Sequence, residues 1–193
     1  MRKVTTFLFF LILLNGFSAL AQTQIPLNEP IDRFRRYVGA GVSAPTGLLE
    51  QFGRRGFHFW GRVGYSVTAN TELTFGPDYH TFDRDNRGQF GTYGGRFYTL
   101  MLGMDLKYNL GNDRELRNPY IFVGMGWAFM EVLPLTTLQT GTRRSETAES
   151  VYLEGGAGIE LDWVFLQAKV VRIPKRYVGD KLTHFPISIG LKF

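Results

Sequence analysis

Three histidines, His58, His80 and His184, are the side chains of this sequence best suited to moving a proton, so the first chemistry to test is a histidine acting on a hydroxyl. The near candidates are His80 with Thr81 and His184 with Ser188. Neighbours in an extended strand point to opposite faces, and residues four apart stand about 13 Å from one another at roughly 3.3 Å per residue. Neither pair makes a hydrogen-bonded dyad within its own strand, while a pairing of His58 or His80 with a serine on another strand stays open. Metal chemistry has one candidate grouping, Glu72, Asp78 and His80, on one face of a single extended run. Membership of a network of opposite charges accounts for those residues better. The glycine pairs Gly39/Gly41 and Gly124/Gly126 lie inside extended runs rather than between a strand and a helix, so they read as packing glycines and not as a phosphate loop. The expectation is a chain that is not an enzyme, with no catalytic residue, no cofactor and no metal.

The elements that position these residues are strands. In "FYTLMLGMDLKYNL" Tyr98, Leu100, Leu102, Met104, Leu106, Tyr108 and Leu110 fall on one face, with Gly103, Asp105, Lys107 and Asn109 on the other. The same alternation predicts eight strands, at residues 36–44, 56–67, 72–82, 96–110, 119–131, 149–161, 163–173 and 183–193. Connections at Thr68 to Thr71 and around Asp162 are short, and "GNDRELRN" is intermediate. Those at 45–55, 83–95, 132–148 and 174–182 are long. Short turns at one end and long loops at the other are the layout of an all-β, eight-stranded antiparallel up-and-down transmembrane β-barrel.

The opening "MRKVTTFLFFLILLNGFSALAQ" has a basic start, an apolar run around Phe7 to Leu14 and small residues at Ala19 and Ala21, which predicts a cleaved signal peptide over 1–21. Residues 22–35 then form an N-terminal periplasmic segment and 36–193 the barrel. An exported chain without cysteine has no disulfides, so burial or a closed sheet must stabilise it. The formal net charge of +5 becomes +3 without Arg2 and Lys3, and no basic run is present, which argues against nucleic acid as a partner.

Alternation does not say which face meets lipid. A soluble barrel of the lipocalin kind would turn its apolar face inward around a ligand. Here the polar face is rich in glycine and carries Arg62, Lys107, Lys169 and Lys192 with Glu72, Asp78, Asp105, Glu154 and Glu160. Small residues suit a narrow interior, and charges that nearly cancel suit a buried lumen, where an unpaired ion is costly. The apolar face ends in Tyr65, Tyr108, Trp163 and Phe193 near the short turns, and in Phe57, Tyr79, Tyr98, Phe129 and Phe185 near the long loops. Two aromatic girdles at the membrane interfaces are the expected outcome. Pro186 removes one ladder donor from the last strand, so a bulge or the strand's exit from the membrane is expected there.

With its leader, "YVGAGVSAPTG", "LKYNL" followed by "NPYIFVGMGWAFM", and the closing "ISIGLKF", the sequence resembles the small eight-stranded outer-membrane barrels, especially the outer-membrane β-barrel domain proteins common in the Bacteroidetes lineage. The resemblance implies insertion into the outer membrane of a Gram-negative bacterium by the barrel-assembly machinery, with Ile187, Ile189, Leu191 and Phe193 as the assembly signal. It does not extend to the His-x-Ser pattern of the lipid A deacylases. The function expected is a side-chain-plugged barrel with a structural, adhesive or accessory role through its extracellular loops and with envelope proteins as partners. The alternative is a narrow channel for small solutes; a soluble periplasmic ligand-binding barrel or a lipid A modifying enzyme ranks below it. Outer-membrane lipid and glycolipid are expected partners, the latter held by the loop pairs Arg54/Arg55 and Arg143/Arg144, since arginine forks match phosphate oxygens.

Overall fold

A computed structural model describes residues 33–46, 55–82, 97–111, 117–132, 146–177 and 180–193. The leader, most of the 22–35 segment and the greater part of the long connections lie outside the described residues. Eight strands form: β1 (Phe34–Thr46), β2 (Gly56–Ser66), β3 (Thr71–Phe82), β4 (Phe97–Asn109), β5 (Asn118–Val132), β6 (Glu146–Leu161), β7 (Val164–Tyr177) and β8 (Asp180–Lys192). They follow one another around a closed antiparallel barrel. β8 returns to β1 in one continuous register, from Tyr37 opposite Lys192 to Thr46 opposite Thr183. The seam ends on a reciprocal pair, Arg36 N to Phe193 O at 2.8 Å and Phe193 N to Arg36 O at 3.0 Å. A closed ladder leaves no row of unpaired amides, the condition for a sheet to stand in hydrocarbon.

The turns at one end are tight for local reasons. Between β2 and β3, Val67 N donates to Thr71 O at 2.9 Å, and Thr68 Oγ1 accepts from the amide of Thr71 at 3.0 Å. Between β6 and β7 the turn is Asp162 and Trp163, with Asp162 at φ 61°, a left-handed conformation that aspartate tolerates better than most residues. Between β4 and β5, Leu110 N donates to Pro119 O at 2.8 Å.

Two expectations are corrected. The stretch 174–182 is not a long loop: β7 continues to Tyr177 and β8 begins at Asp180, with a register shift between Ile173 and Tyr177. Its charged sequence hides the strand, because backbone pairing persists where side-chain alternation stops. Pro186 marks no bulge. It pairs opposite Ser43 in the unbroken β1–β8 ladder, and on the β7 side the pairs Ala168–Ile187 and Val171–His184 keep one register across a gap. Pro77 behaves alike, continuous with β4 at Leu102 while the β2 ladder skips from Trp60–Asp78 to Val63–Phe75. A missing N–H is aimed at one neighbour, and that neighbour alone loses the bond.

The burial is inverted relative to a soluble protein. Every strand puts large apolar side chains outward, including Phe59, Val123, Met125 and Ile187, each more than half exposed. Exposed Tyr65, Tyr108, Trp163 and Phe193 sit toward the short turns, and Phe57, Tyr79, Phe129 and Phe185 toward the other end; Tyr98 is half-buried. The lumen departs from the uniformly polar interior expected. At the long-connection end it holds an apolar cluster of Phe82, Phe97, Met101, Ala128, Met130, Tyr152, Val171, Ile173 and Leu182. In runs such as Leu100–Met101–Leu102 both faces are apolar, so the period-two signal vanishes where the plug is built.

Candidate functional site

Below the apolar plug, the inward side chains form three layers. Nearest the short turns, Glu72 Oε2 accepts from Tyr37 OH at 2.8 Å and lies 3.4 Å from Lys107 Nζ. Lys107 also pairs with Glu160, whose other oxygen takes Lys192 Nζ at 2.6 Å. The Lys107 ammonium sits over the rings of Tyr37 and Tyr120, 4.7 and 4.6 Å from their centroids, so the negative π faces of both rings attract it.

The middle layer is organised by Arg62. Its Nη2 lies 2.8 Å from Glu154 Oε1 and its Nε 3.2 Å from Asp105 Oδ2, while Nη1 donates to the carbonyl of Gly76 at 2.6 Å. Lys169 Nζ lies 2.8 Å from the second Glu154 oxygen and also pairs with Asp78. Thr74 Oγ1 donates to Asp105 Oδ2 at 3.1 Å. The nine lumen charges read from the sequence thus fall into two connected groups: Arg62, Lys169, Asp78, Asp105 and Glu154, and Lys107, Lys192, Glu72 and Glu160. Each ion keeps a partner, as desolvated charge requires. A cavity of about 30 Å³ lies between them, lined by Arg62, Asp105, Lys107, Tyr120 and Lys169 among others, large enough for a water or two but not for a column.

The third layer is the histidines, which sequence spacing left apart. His58 and His80 are direct ladder partners, stacked with centroids 5.1 Å apart, and His184 meets His80 edge-on at 4.6 Å. Ser43 Oγ stands 3.3 Å from His58 Nδ1 and 3.2 Å from His80 Nδ1, and His80 Nε2 lies 2.9 Å from Asp78 Oδ1. The serine that sequence reading left open is therefore Ser43, on the inward parity of β1 with Gly39 and Gly41. The order serine, histidine, aspartate is that of a nucleophilic triad. Yet Ser43 is 2% exposed and His80 and Asp78 are 0% exposed, shut between the apolar plug and the ion network. A carbonyl would reach Ser43 by displacing that plug. The Glu72, Asp78 and His80 grouping is divided, Glu72 belonging to the lower layer, and among the described residues no group of three or more histidine or carboxylate side chains is arranged to hold a metal.

Of the other candidates, Ile187, Ile189, Leu191 and Phe193 line the exposed outer face of β8. Arg55 is exposed at the foot of β2, whereas Arg54, Arg143 and Arg144 lie outside the described residues.

No family model matches the chain, and no curated protein matches it. Solved structures do. The neisserial surface protein NspA aligns with a TM-score of 0.54 at 17% identity, over 82% of this chain and 95% of that one. Ail, the attachment invasion locus protein of Yersinia pestis, solved in complex with the heparin analogue sucrose octasulfate, aligns with a TM-score of 0.50 at 12% identity, over 83% of this chain and 99% of that one. The fold is that of the small eight-stranded outer-membrane barrels.

Proposed function

We propose that this chain is an integral outer-membrane barrel of a Gram-negative bacterium whose lumen is closed by its own side chains, and that it works as a structural, adhesive or accessory-interaction protein through the long-connection end. The observation that carries this reading is the inverted burial: an exposed apolar belt on every strand around an interior of matched charges. Hydrocarbon accepts such a surface, and water does not. A soluble ligand-binding barrel would need the opposite arrangement. Reconstitution into planar bilayers at neutral pH is expected to give no stable single-channel steps. Discrete, reproducible steps would favour the narrow-channel alternative instead.

The same reading gives the loop arginines a role. Arginine forks match phosphate and sulfate oxygens, and the outer leaflet offers anionic glycolipid. Ail, a barrel of the same fold, is known with a polysulfated sugar bound. Replacing Arg54, Arg55, Arg143 and Arg144 with glutamine is expected to reduce the glycolipid that co-purifies. It should also lower the unfolding temperature in glycolipid bilayers while leaving that in neutral detergent unchanged. An equal change in both environments would reduce these arginines to solvated loop charge.

A further inference from the structure

Three buried imidazoles in ring-to-ring contact are costly to charge together, and the lumen holds few anions to help. The groups facing the histidine layer come from five strands: Arg62 from β2, Asp78 from β3, Asp105 from β4, Glu154 from β6 and Lys169 from β7. From β1 comes the neutral Ser43, and β8 brings His184 itself. Two cations stand against three carboxylates there, and His80 Nε2 lies 2.9 Å from Asp78 Oδ1. Among the described residues, neither His58 nor His184 has a carboxylate at ion-pair distance. Among the described residues, His58 Nε2, His80 Nε2 and both ring nitrogens of His184 are buried with no hydrogen-bond partner, although His80 Nε2 stays within ion-pair distance of Asp78. An imidazolium at His58 or His184 would stand against the His80 ring, in the field of the Lys169 ammonium.

Above this layer sits the plug, and its contacts with the histidines are direct. The Phe82 ring lies parallel to His80 at 6.3 Å and edge-on to His184 at 5.3 Å. Hydrating an imidazolium in this layer therefore means admitting water past Phe82, the last residue of β3, and past Phe97 and Leu182 near the ends of β4 and β8.

We propose that the histidine layer is an acid-sensitive latch: near neutral pH His58 and His184 pack uncharged against the plug and the neighbouring ring, and in mild acid their protonation loosens the long-connection end of the lumen while the lower ion layers hold. Histidine is the side chain whose charge changes in that range, and the fold concentrates all three of the chain's histidines at one level.

The test uses the barrel refolded in neutral detergent with a chelator present. Between pH 7.5 and 5.0 the unfolding midpoint is expected to fall by about 5 °C or more. In a His58→Gln/His184→Gln variant, which keeps His80 beside Asp78 and every carboxylate, the fall should shrink to half or less. An undiminished fall would assign the acid response to the carboxylates and overturn the proposal. Should that variant not fold, amide hydrogen exchange of the unmodified protein decides. Acceleration at pH 5.0, beyond the intrinsic rate change, that is confined to Phe82, Phe97 and Leu182 supports the latch. A change spread equally to Tyr120 and Phe165 refutes it. In a further arm without chelator, a rise in midpoint with zinc at pH 7.5 that His184→Gln abolishes would make the layer a metal site, and the latch would be wrong.

Discussion

Arg62→Met is expected to cost about 3–5 kcal/mol of unfolding free energy, the range for removing one partner from a buried ion group. The loss would be read from denaturant unfolding in lipid vesicles. Methionine fills much of the volume of the arginine stem, so the effect is electrostatic rather than a cavity. Arg62 is the link that makes Asp105 tolerable at that depth: its Nε is 3.2 Å from Asp105 Oδ2, while Glu154 retains Lys169 at 2.8 Å. Without the guanidinium, Asp105 keeps the hydroxyl of Thr74 but no direct cation, and the carbonyls of Gly76 and Gly103 lose their donors. Asp105→Asn in the same background should therefore recover part of the loss, although the same change alone in the unmodified barrel should destabilise it. A cost below about 1 kcal/mol, or strictly additive effects, would show that water enters the lumen and screens these charges.

Gly41→Val should prevent the barrel from closing. Gly41 pairs with Ser188 across the β1–β8 seam, and a Cβ built on it would lie 1.9 Å from the carbonyl oxygen of Ile187 and 2.7 Å from Ser188 Cα. Both are backbone atoms of the partner strand, so no rotamer change relieves the clash. The strands would have to separate where the sheet has its single non-sequential ladder. The expected cost is above about 3 kcal/mol, at or beyond the upper end for overpacking. It would be seen as loss of the compact, heat-modifiable band in electrophoresis and of sheet signal after refolding. Gly155→Ala is the control: on the outer side of β6 its Cβ meets one backbone oxygen at 3.5 Å, an ordinary contact, and should leave folding nearly unchanged. Closure of Gly41→Val at normal yield would mean that the seam adjusts its spacing freely.

The parity of each strand was legible in the sequence because a period of two is a direct projection of strand geometry onto residue order. It separated Arg62, Glu72, Asp105 and Glu154 from the outward-facing residues and placed the aromatic ends. Parity names a face, however, and not a partner. That His58 stands opposite His80, and that Ser43 reaches both, depends on inter-strand register, which is set by turns and by the whole circuit of ladders. The apolar plug escaped because inward and outward residues are alike in Leu100, Met101 and Leu102. The outer hairpin of β7 and β8 escaped because residues 174–182 show no apolar alternation in sequence.

The β1–β8 seam also sets the order of assembly. Seven of the eight ladders join strands adjacent in the chain, and each can form as a hairpin whose connection is far shorter than the chain as a whole. The eighth joins the first strand to the last, across the longest loop the molecule contains, so its chain-entropy cost falls only when both flanks are already in place. Until then the sheet carries two open edges, which hydrocarbon does not tolerate. The zipping of Tyr37 to Thr46 against Thr183 to Lys192 is therefore expected to come last, and the glycines that let those backbones approach are expected to act on the rate of closure as well as on the depth of the final minimum.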